Sequence, residues 1–358
     1  MQRHLLEYLV CPDCQLGLNC QVTAASDHGI ETGSLSCPHC GLNYPIVRGI
    51  PRFVTTERPL TGENIETAKA FGWQWQKFDK LHDLALYKAQ FLDWLYPINP
   101  DFFEGKVVLD AGCGMGRFSL ASSSFGAKLV LAVDASESVE AAAHNTRAVS
   151  NIHVIQADLH HLPLRSGPDA QVDFAFTIGV LHHLDAPQAG FKALVQHLCP
   201  GGTTFAWVYG RENNGWVVNV VNPIRTILTS RLPRPALYGL SWLITAVLHP
   251  VLKLIYRPAN AGGAFGWLGR LLPYNAYFAW LGQFQFHHNH HVVFDHLVAP
   301  VAFYLRREEF EAWFEAAGLE LIDLSWRNKN SWRGHGRLNT GVLDQPTVEA
   351  TDSLVVNG

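Results

Sequence analysis

The chain has 358 residues, too many for one ordinary core, so a main domain with additions is expected. Only 16% of residues are charged, against roughly 25% in average soluble domains, while 48% are apolar, with 11 Trp and 20 Phe. This points to an unusually large buried or lipid-facing surface, and the net charge of −4 gives no electrostatic case for a nucleic-acid partner.

The first residues, Met1 to Tyr8, include Glu7 and no apolar run, so no signal peptide is read there. Seven cysteines is an odd count, and four stand in two pairs, Cys11-Pro-Asp-Cys14 and Cys37-Pro-His-Cys40. Each pair offers two soft ligands from one tight turn, and tetrahedral zinc takes four. Cys11, Cys14, Cys37 and Cys40 are therefore the expected structural zinc ligands, with Cys20 left as a lone thiol. Such usage fits a reducing, cytoplasmic compartment. The stretch Cys40-Gly-Leu-Asn-Tyr-Pro-Ile-Val-Arg-Gly-Ile-Pro51 resembles the small zinc-ribbon family that includes the activator subunit of tRNA and protein methyltransferases. The ribbon is read as residues 1–58, fused ahead of a catalytic partner.

A polar linker with Pro59 and Gly62 follows. Phe71, Trp75 and Phe78, then Leu84, Tyr87, Phe91 and Leu95, recur at helical spacing and predict two amphipathic helices. Next comes Val107-Val-Leu-Asp-Ala-Gly-Cys-Gly-Met-Gly-Arg117, a buried strand, a glycine turn and a helix start. Lys128 to Asp134, Ile152 to Asp158, Val172 to Gly179 and Thr203 to Tyr209 read as four more strands, the first two ending in acids. A dinucleotide fingerprint requires a third glycine where Arg117 stands.

The glycine form and the ordered acids resemble class I S-adenosylmethionine (SAM) methyltransferases, from about Lys106 to Tyr209 and again near Phe303. The resemblance implies a Rossmann-like α/β sheet with helices on both faces and SAM as cofactor. It further implies that Asp110, Gly112, Gly114 and Gly116 enclose the methionine end and that Asp134 binds the ribose. Asp158, with Leu159 beside it, would hold the adenine, and Thr177 and Ile178 would floor the site. An acid in the place of Asp158 can equally cap the turn that follows it.

Residues 59–212 are thus the first part of the core, and 301–338 its return, through a helix from Arg307 to Gly318 and a strand from Leu319 to Trp326. Residues 213–300 form an insertion. Its stretch from 236 to 257 approaches membrane-span length, but His249, Pro250 and Lys253 interrupt it. It reads as one broken or two short helices, buried in a lid or lying at a membrane surface, with the lid preferred. Trp332-Arg-Gly-His-Gly336 reads as a pocket rim in place of a clear seventh strand, and 339–358 as a loose tail.

For chemistry beyond the cofactor, His183 stands at the sheet edge where open α/β folds bind ligands. His291 and His296, in the His-rich run of the insertion, are further candidate bases, since imidazole titrates near neutrality. A small or medium apolar acceptor under a helical lid is the expected substrate. The alternatives are an RNA or protein methyltransferase using the ribbon for recognition, and a non-catalytic SAM-binding interaction protein. Against the first stands the absence of Asn-Pro-Pro-Tyr after the fourth strand, where Thr177-Ile-Gly-Val180 is found.

Overall fold

The computed structural model describes residues 1–27, 29–79, 81, 83–261 and 266–339. At the N-terminus β1 (Asn19–Ser26), β2 (Gly29–Ser36), β3 (Asn43–Val47) and β4 (Ile50–Pro51) form an antiparallel sheet. Helices α1 (Asn64–Lys77) and α2 (Leu84–Leu95) follow. Strand and helix then alternate through β5 (Val107–Ala111), α3 (Arg117–Ser124), β6 (Leu129–Asp134), α4 (Ser138–Thr146) and β7 (Ile152–Gln156). The alternation continues with β8 (Val172–Ile178), α5 (Pro187–Val195) and β9 (Leu198–Tyr209).

These strands are parallel and nearly continuous in apolar residues, as expected where helices cover both faces. Successive side chains feed opposite layers: Leu109 joins Leu131, Ile155 and Phe191 on one side, while Val108 joins Val130, Phe91 and Phe174 on the other. The large sheet has the order β10-β11-β9-β8-β5-β6-β7. The chain leaves β5 toward β7 and then returns to β8 on the other side of β5. That reversal opens a crevice at the carboxyl ends of β5 and β8.

The N-terminal sheet is docked on the edge strand of the large one. Val10 N–H donates to Pro163 O (3.0 Å), Phe53 N–H donates to Gln156 O (2.7 Å), and Arg52 bridges in parallel register to Gln156. Arg48 and Arg52 both pair with Glu140 on α4. Leu5, Leu9, Tyr44 and Phe53 share one apolar layer with Ile155 and Leu162. The ribbon thus covers an open sheet edge and extends the core rather than standing apart.

The insertion contains α6 (Asn222–Ile227), α7 (Arg234–Val251), α8 (Arg257–Asn260), α9 (Asn275–Leu281) and α10 (Phe286–Val298). Helix α10 lies along α7 and against α1, where Phe294 stacks on Trp73 (5.4 Å) and packs beside Phe78. The broken helix expected at 236–257 is instead one helical course from Arg234 to Asn260. A π-wound turn, Leu252–Tyr256, follows Pro250, and its wider winding carries the helix past the missing N–H. The helix is also less buried than a lid enclosed on all sides would be. Only 17% of the apolar window of this helix is buried, because one of its faces alone has a partner.

The chain returns through α11 (Arg307–Ala316), β10 (Leu319–Arg327) and β11 (Ser331–Leu338). The stretch read as a rim in place of a seventh strand is β11 itself, antiparallel between β9 and β10. Its glycines weaken any strand signal, and Gly334 and Gly336 are needed where Phe310 and Phe314 of α11 press on the backbone. The tail expected from 339 onward falls outside the described residues except for Asn339.

Candidate active site and metal centre

A single cavity of about 780 Å³ runs from the carboxyl edge of β5, β6 and β8 to the underside of the insertion. At its sheet end, Gly112 follows β5 with φ +84° and faces the Val180 side chain, so a Cβ there would collide with it. Gly114 (φ +53°) lies under the indole of Trp75, 2.9 Å from where a Cβ would stand. The turn is thus drawn tight by packing on both sides, and only glycine fits.

Asp134, at the end of β6, lines the cavity and braces this turn. One carboxylate oxygen accepts from Gly114 N–H (3.0 Å), and the other accepts from the backbone N–H (2.9 Å) and hydroxyl (2.7 Å) of Ser136. A carboxylate has about four acceptor sites, so capacity remains for ligand hydroxyls. Asp158 also lines the cavity and accepts from His160 N–H (3.0 Å), capping the short turn at Leu159–His161. Burial pushes its pKa upward, but hydrogen bonds and charge from His160 outweigh this and hold it below the usual carboxylate range. The capping role is real, and the remaining acceptor capacity is compatible with a ligand.

Of the residues expected around the cofactor, Gly112, Asp134, Asp158, Leu159 and Ile178 line the cavity. Asp110, Gly114, Gly116 and Thr177 do not. Asp110 is buried behind the turn, where Ser119 Oγ–H donates to it (2.6 Å) and burial pushes its pKa up to about 7. It ties the end of β5 to the first turns of α3. Gly116 packs against Ala142 and Thr146 of α4, and Thr177 is fully enclosed. Replacing Asp134 by Ala should weaken SAM binding about thirtyfold, or ~2 kcal/mol, because a charge-assisted contact is lost. Calorimetry reads this directly, and an unchanged affinity would remove Asp134 from the ribose site.

The three histidines singled out earlier, His183, His291 and His296, all line the cavity. His183 Nδ1–H donates to Val301 O (2.6 Å), which fixes the tautomer and leaves Nε2 as the lone-pair nitrogen. Among the described residues that nitrogen makes no hydrogen bond, and His183 lines the cavity. Burial pushes His183 down to about 4, so the ring is neutral at physiological pH. His291 Nε2 is occupied, accepting from the Gln74 amide (2.8 Å), which also donates to Asp295 (3.1 Å). His296 Nε2 meets Tyr277 OH (2.8 Å) and its ring lies parallel to Tyr209 at 6.1 Å. His183 is therefore the one of the three whose tautomer is fixed by a backbone carbonyl, with Nε2 as its basic nitrogen.

Arg117, noted in the sequence only as a departure from the dinucleotide pattern, has a larger part here. Its guanidinium sits among Phe118 (4.6 Å), Trp75 (5.4 Å), Tyr87 (5.7 Å) and Trp94 (5.7 Å) and lines the cavity. Among the described residues it has no hydrogen bond or ion pair; burial lowers its pKa, and the ring faces supply its main compensation. Around the same chamber Gln90 Oε1, Trp94 Nε1, Trp207 Nε1 and His288 Nε2 are buried without partners among the described residues. Buried polar atoms left unpaired are costly, and a cluster of them facing one chamber fits a ligand site. Sequence reasoning missed them because they lie on α2, β9 and α10, far apart in the chain.

The ribbon brings the four expected ligands together. The sulfurs of Cys11, Cys14, Cys37 and Cys40 all lie within 4.8 Å of one another, with Cys14–Cys37 at 3.3 Å and Cys11–Cys40 at 3.6 Å. A tetrahedron with Zn–S of about 2.3 Å has edges of about 3.8 Å, so the set fits zinc. Tyr44 OH stands 3.4 Å from Cys11 Sγ, and backbone N–H groups of Leu16, His39 and Leu42 point at Cys14, Cys37 and Cys40. Such donors stabilise thiolates around a metal.

Residues 109–206 match a family described as methyltransferase domain, and residues 2–49 match one described as Trm112p-like protein. An uncharacterised protein of Synechococcus is 32% identical over 132 residues, which cover 32% of this chain and 30% of that protein. The ubiquinone biosynthesis O-methyltransferase of Idiomarina loihiensis is 26% identical over 181 residues, covering 48% of this chain and 70% of the relative. The chain thus spans about a third of the first relative's length and somewhat over two thirds of the second's. A solved complex of the Haloferax volcanii Trm112 methyltransferase activator with a putative methyltransferase superposes with TM-score 0.44 at 15% identity, over 76% of this chain and 98% of that one. With the seven-stranded order, the glycine turn and the four-cysteine cluster, the two family matches show a class I SAM-dependent methyltransferase domain joined to an N-terminal Trm112p-like zinc ribbon.

Proposed function

We propose that the chain transfers a methyl group from SAM to a hydroxyl of a small or medium, largely apolar acceptor held between the sheet edge and the insertion. The observation that carries this reading is the continuity of one cavity from Asp134 and Asp158 to His183, Tyr209 and His296. Donor and acceptor must meet in line at near-contact distance, and one chamber lets a single chain hold both. When bound, SAM supplies a methyl group already activated on a sulfonium. The protein then has three tasks: alignment, proton removal and exclusion of water.

Asp134 accepts from the ribose, Asp158 and Leu159 flank the adenine, and Gly112 lets the backbone approach the methionine chain. Arg117 gives an anionic part of the bound ligands a counter-charge. His183 Nε2 takes the acceptor's hydroxyl proton, while its Nδ1–H bond to Val301 holds the ring in the required orientation. Trp207, Tyr209, Tyr277 and Trp280 supply the aromatic walls such an acceptor demands. The Idiomarina relative is an O-methyltransferase by name, which supports a hydroxyl acceptor. The roofed aromatic chamber favours this reading over a macromolecular acceptor.

The test is incubation of the purified chain with SAM and a fractionated small-molecule and lipid extract. S-adenosylhomocysteine should form together with an organic-extractable product heavier by one CH₂. SAM binding without turnover on any fraction would leave only the non-catalytic reading.

A further inference from the structure

We propose that the outer face of the insertion seats on an anionic phospholipid surface and that the cavity opens into that surface, so the acceptor is taken up from the lipid phase. This goes beyond the methyl-transfer reading and rests on it only for the word acceptor.

The first observation is an apolar face that no described residue covers. On the helix from Arg234 to Asn260, Leu237, Ser241, Thr245, Leu252 and Tyr256 are buried and make the inner stripe. The opposite stripe holds Leu243, Val247 and Leu254, exposed by 60%, 73% and 75%. These positions repeat at helical spacing, so they form one continuous band. Ile227, Leu228, Trp267 and Leu271 add further exposed apolar side chains from the rest of the insertion. Soluble surfaces rarely show such a concentration.

The second observation is charge. No Asp or Glu occurs between Glu212 and Asp295, while Arg225, Arg231, Arg234, Lys253, Arg257 and Arg270 lie in that span of a chain whose net charge is −4. Arg225 is buried, but Arg231, Arg257 and Arg270 are exposed, and among the described residues none of these six sits in a salt bridge with a carboxylate. A second copy of this face would set cations against cations. An anionic bilayer satisfies both the apolar band and the charges.

The third observation ties the face to the site. Trp216 and Ile244 are exposed by 63% and 39%, yet both also line the cavity. The mouth therefore lies between the start of the insertion and α7, at the margin of the apolar band. A bilayer seated there would meet the mouth directly, and an apolar acceptor could enter without crossing water. The buried inner stripe, with Ser241 Oγ bonded to His290 Nε2 (2.9 Å), keeps the helix on the protein and argues for lying on the membrane rather than spanning it.

The experiment is flotation of the full-length chain with phosphatidylcholine vesicles with and without phosphatidylglycerol, at low and high salt. Binding should appear on the anionic vesicles and fall by roughly tenfold or more at high salt, since surface cations are screened. The triple variant Leu243→Glu, Val247→Glu, Leu254→Glu should abolish it while SAM affinity, read by calorimetry, stays the same; none of these side chains lines the cavity. Acyl-brominated lipids should quench tryptophan emission, less so in Trp216→Phe. A monomer that ignores vesicles overturns the proposal. So does a dimer that the triple variant dissociates, which would make this face a self-interface. Failure to bind SAM would instead strike the methyl-transfer reading and leave the vesicle result interpretable.

Discussion

Cys14→Ser is expected to lose the zinc, about one ion per chain in the parent protein, and to loosen the ribbon. A structural four-cysteine zinc contributes on the order of 10 kcal/mol to a small fold, and a serine hydroxyl does not replace the thiolate. The effect should reach the cofactor site. Phe53 N–H holds Gln156 O at the end of β7, two residues before Asp158, and the linker beyond it carries Leu60 into the cavity wall. Metal analysis, thermal unfolding and SAM calorimetry on the same variant check the chain of effects. Zinc should fall to near zero, the unfolding midpoint should drop, and SAM affinity should weaken. Full zinc occupancy would sink the ligand set; zinc loss with unchanged SAM affinity would limit the ribbon to its own fold.

His183→Asn is expected to lower kcat by about 10² to 10⁴, the usual range for a general base, with SAM affinity unchanged. Asparagine can still donate to Val301 O from the position of Nδ1, so the local fold is kept and only the Nε2 base is removed. The pH profile adds a second readout. Burial pushes His183 down to about 4, so the base is unprotonated above that value. The rate should therefore show no acid limb near pH ~6.5, where a free imidazole titrates, and should fall only toward the folded value. The same sign governs stability. What the neutral ring contributes is fully present above the unfolded value near ~6.5 and is lost as pH falls toward about 4. An unchanged kcat in His183→Asn would make this residue a structural anchor for Val301 alone.

The insertion shows why deleting residues 213–300 would be a poor test of function. Helix α10 packs on α1 through Phe294 and Trp73, and Gln74 is bonded to His291 and Asp295. Removing the span would strip apolar cover from the core helices as well as the acceptor chamber. Single substitutions on its outer and inner faces separate these roles.

The sheet, the ribbon and the metal ligands could be read from residues alone because each rests on local rules. A strand buried on both faces must be apolar throughout, a sharp strand-to-helix turn with positive φ calls for glycine, and a CxxC turn must present two sulfurs together. Those rules put Val107 to Arg117, the acids at 134 and 158, and the four cysteines in view before any contact was known. Other features depend on which elements meet. Trp332 to Gly336 is a strand because β9 and β10 pair with it on both sides, although its glycines, required beneath Phe310 and Phe314, lower strand propensity. Asp110 leaves the cavity because Ser119, nine residues away, bonds it from behind. Arg117 gains its aromatic surroundings from α1 and α2, and His183 has Nε2 as its basic nitrogen only because Val301, just past the insertion, occupies its other nitrogen. Hydrogen bonds and burial between distant segments assign such roles, and no local pattern encodes them.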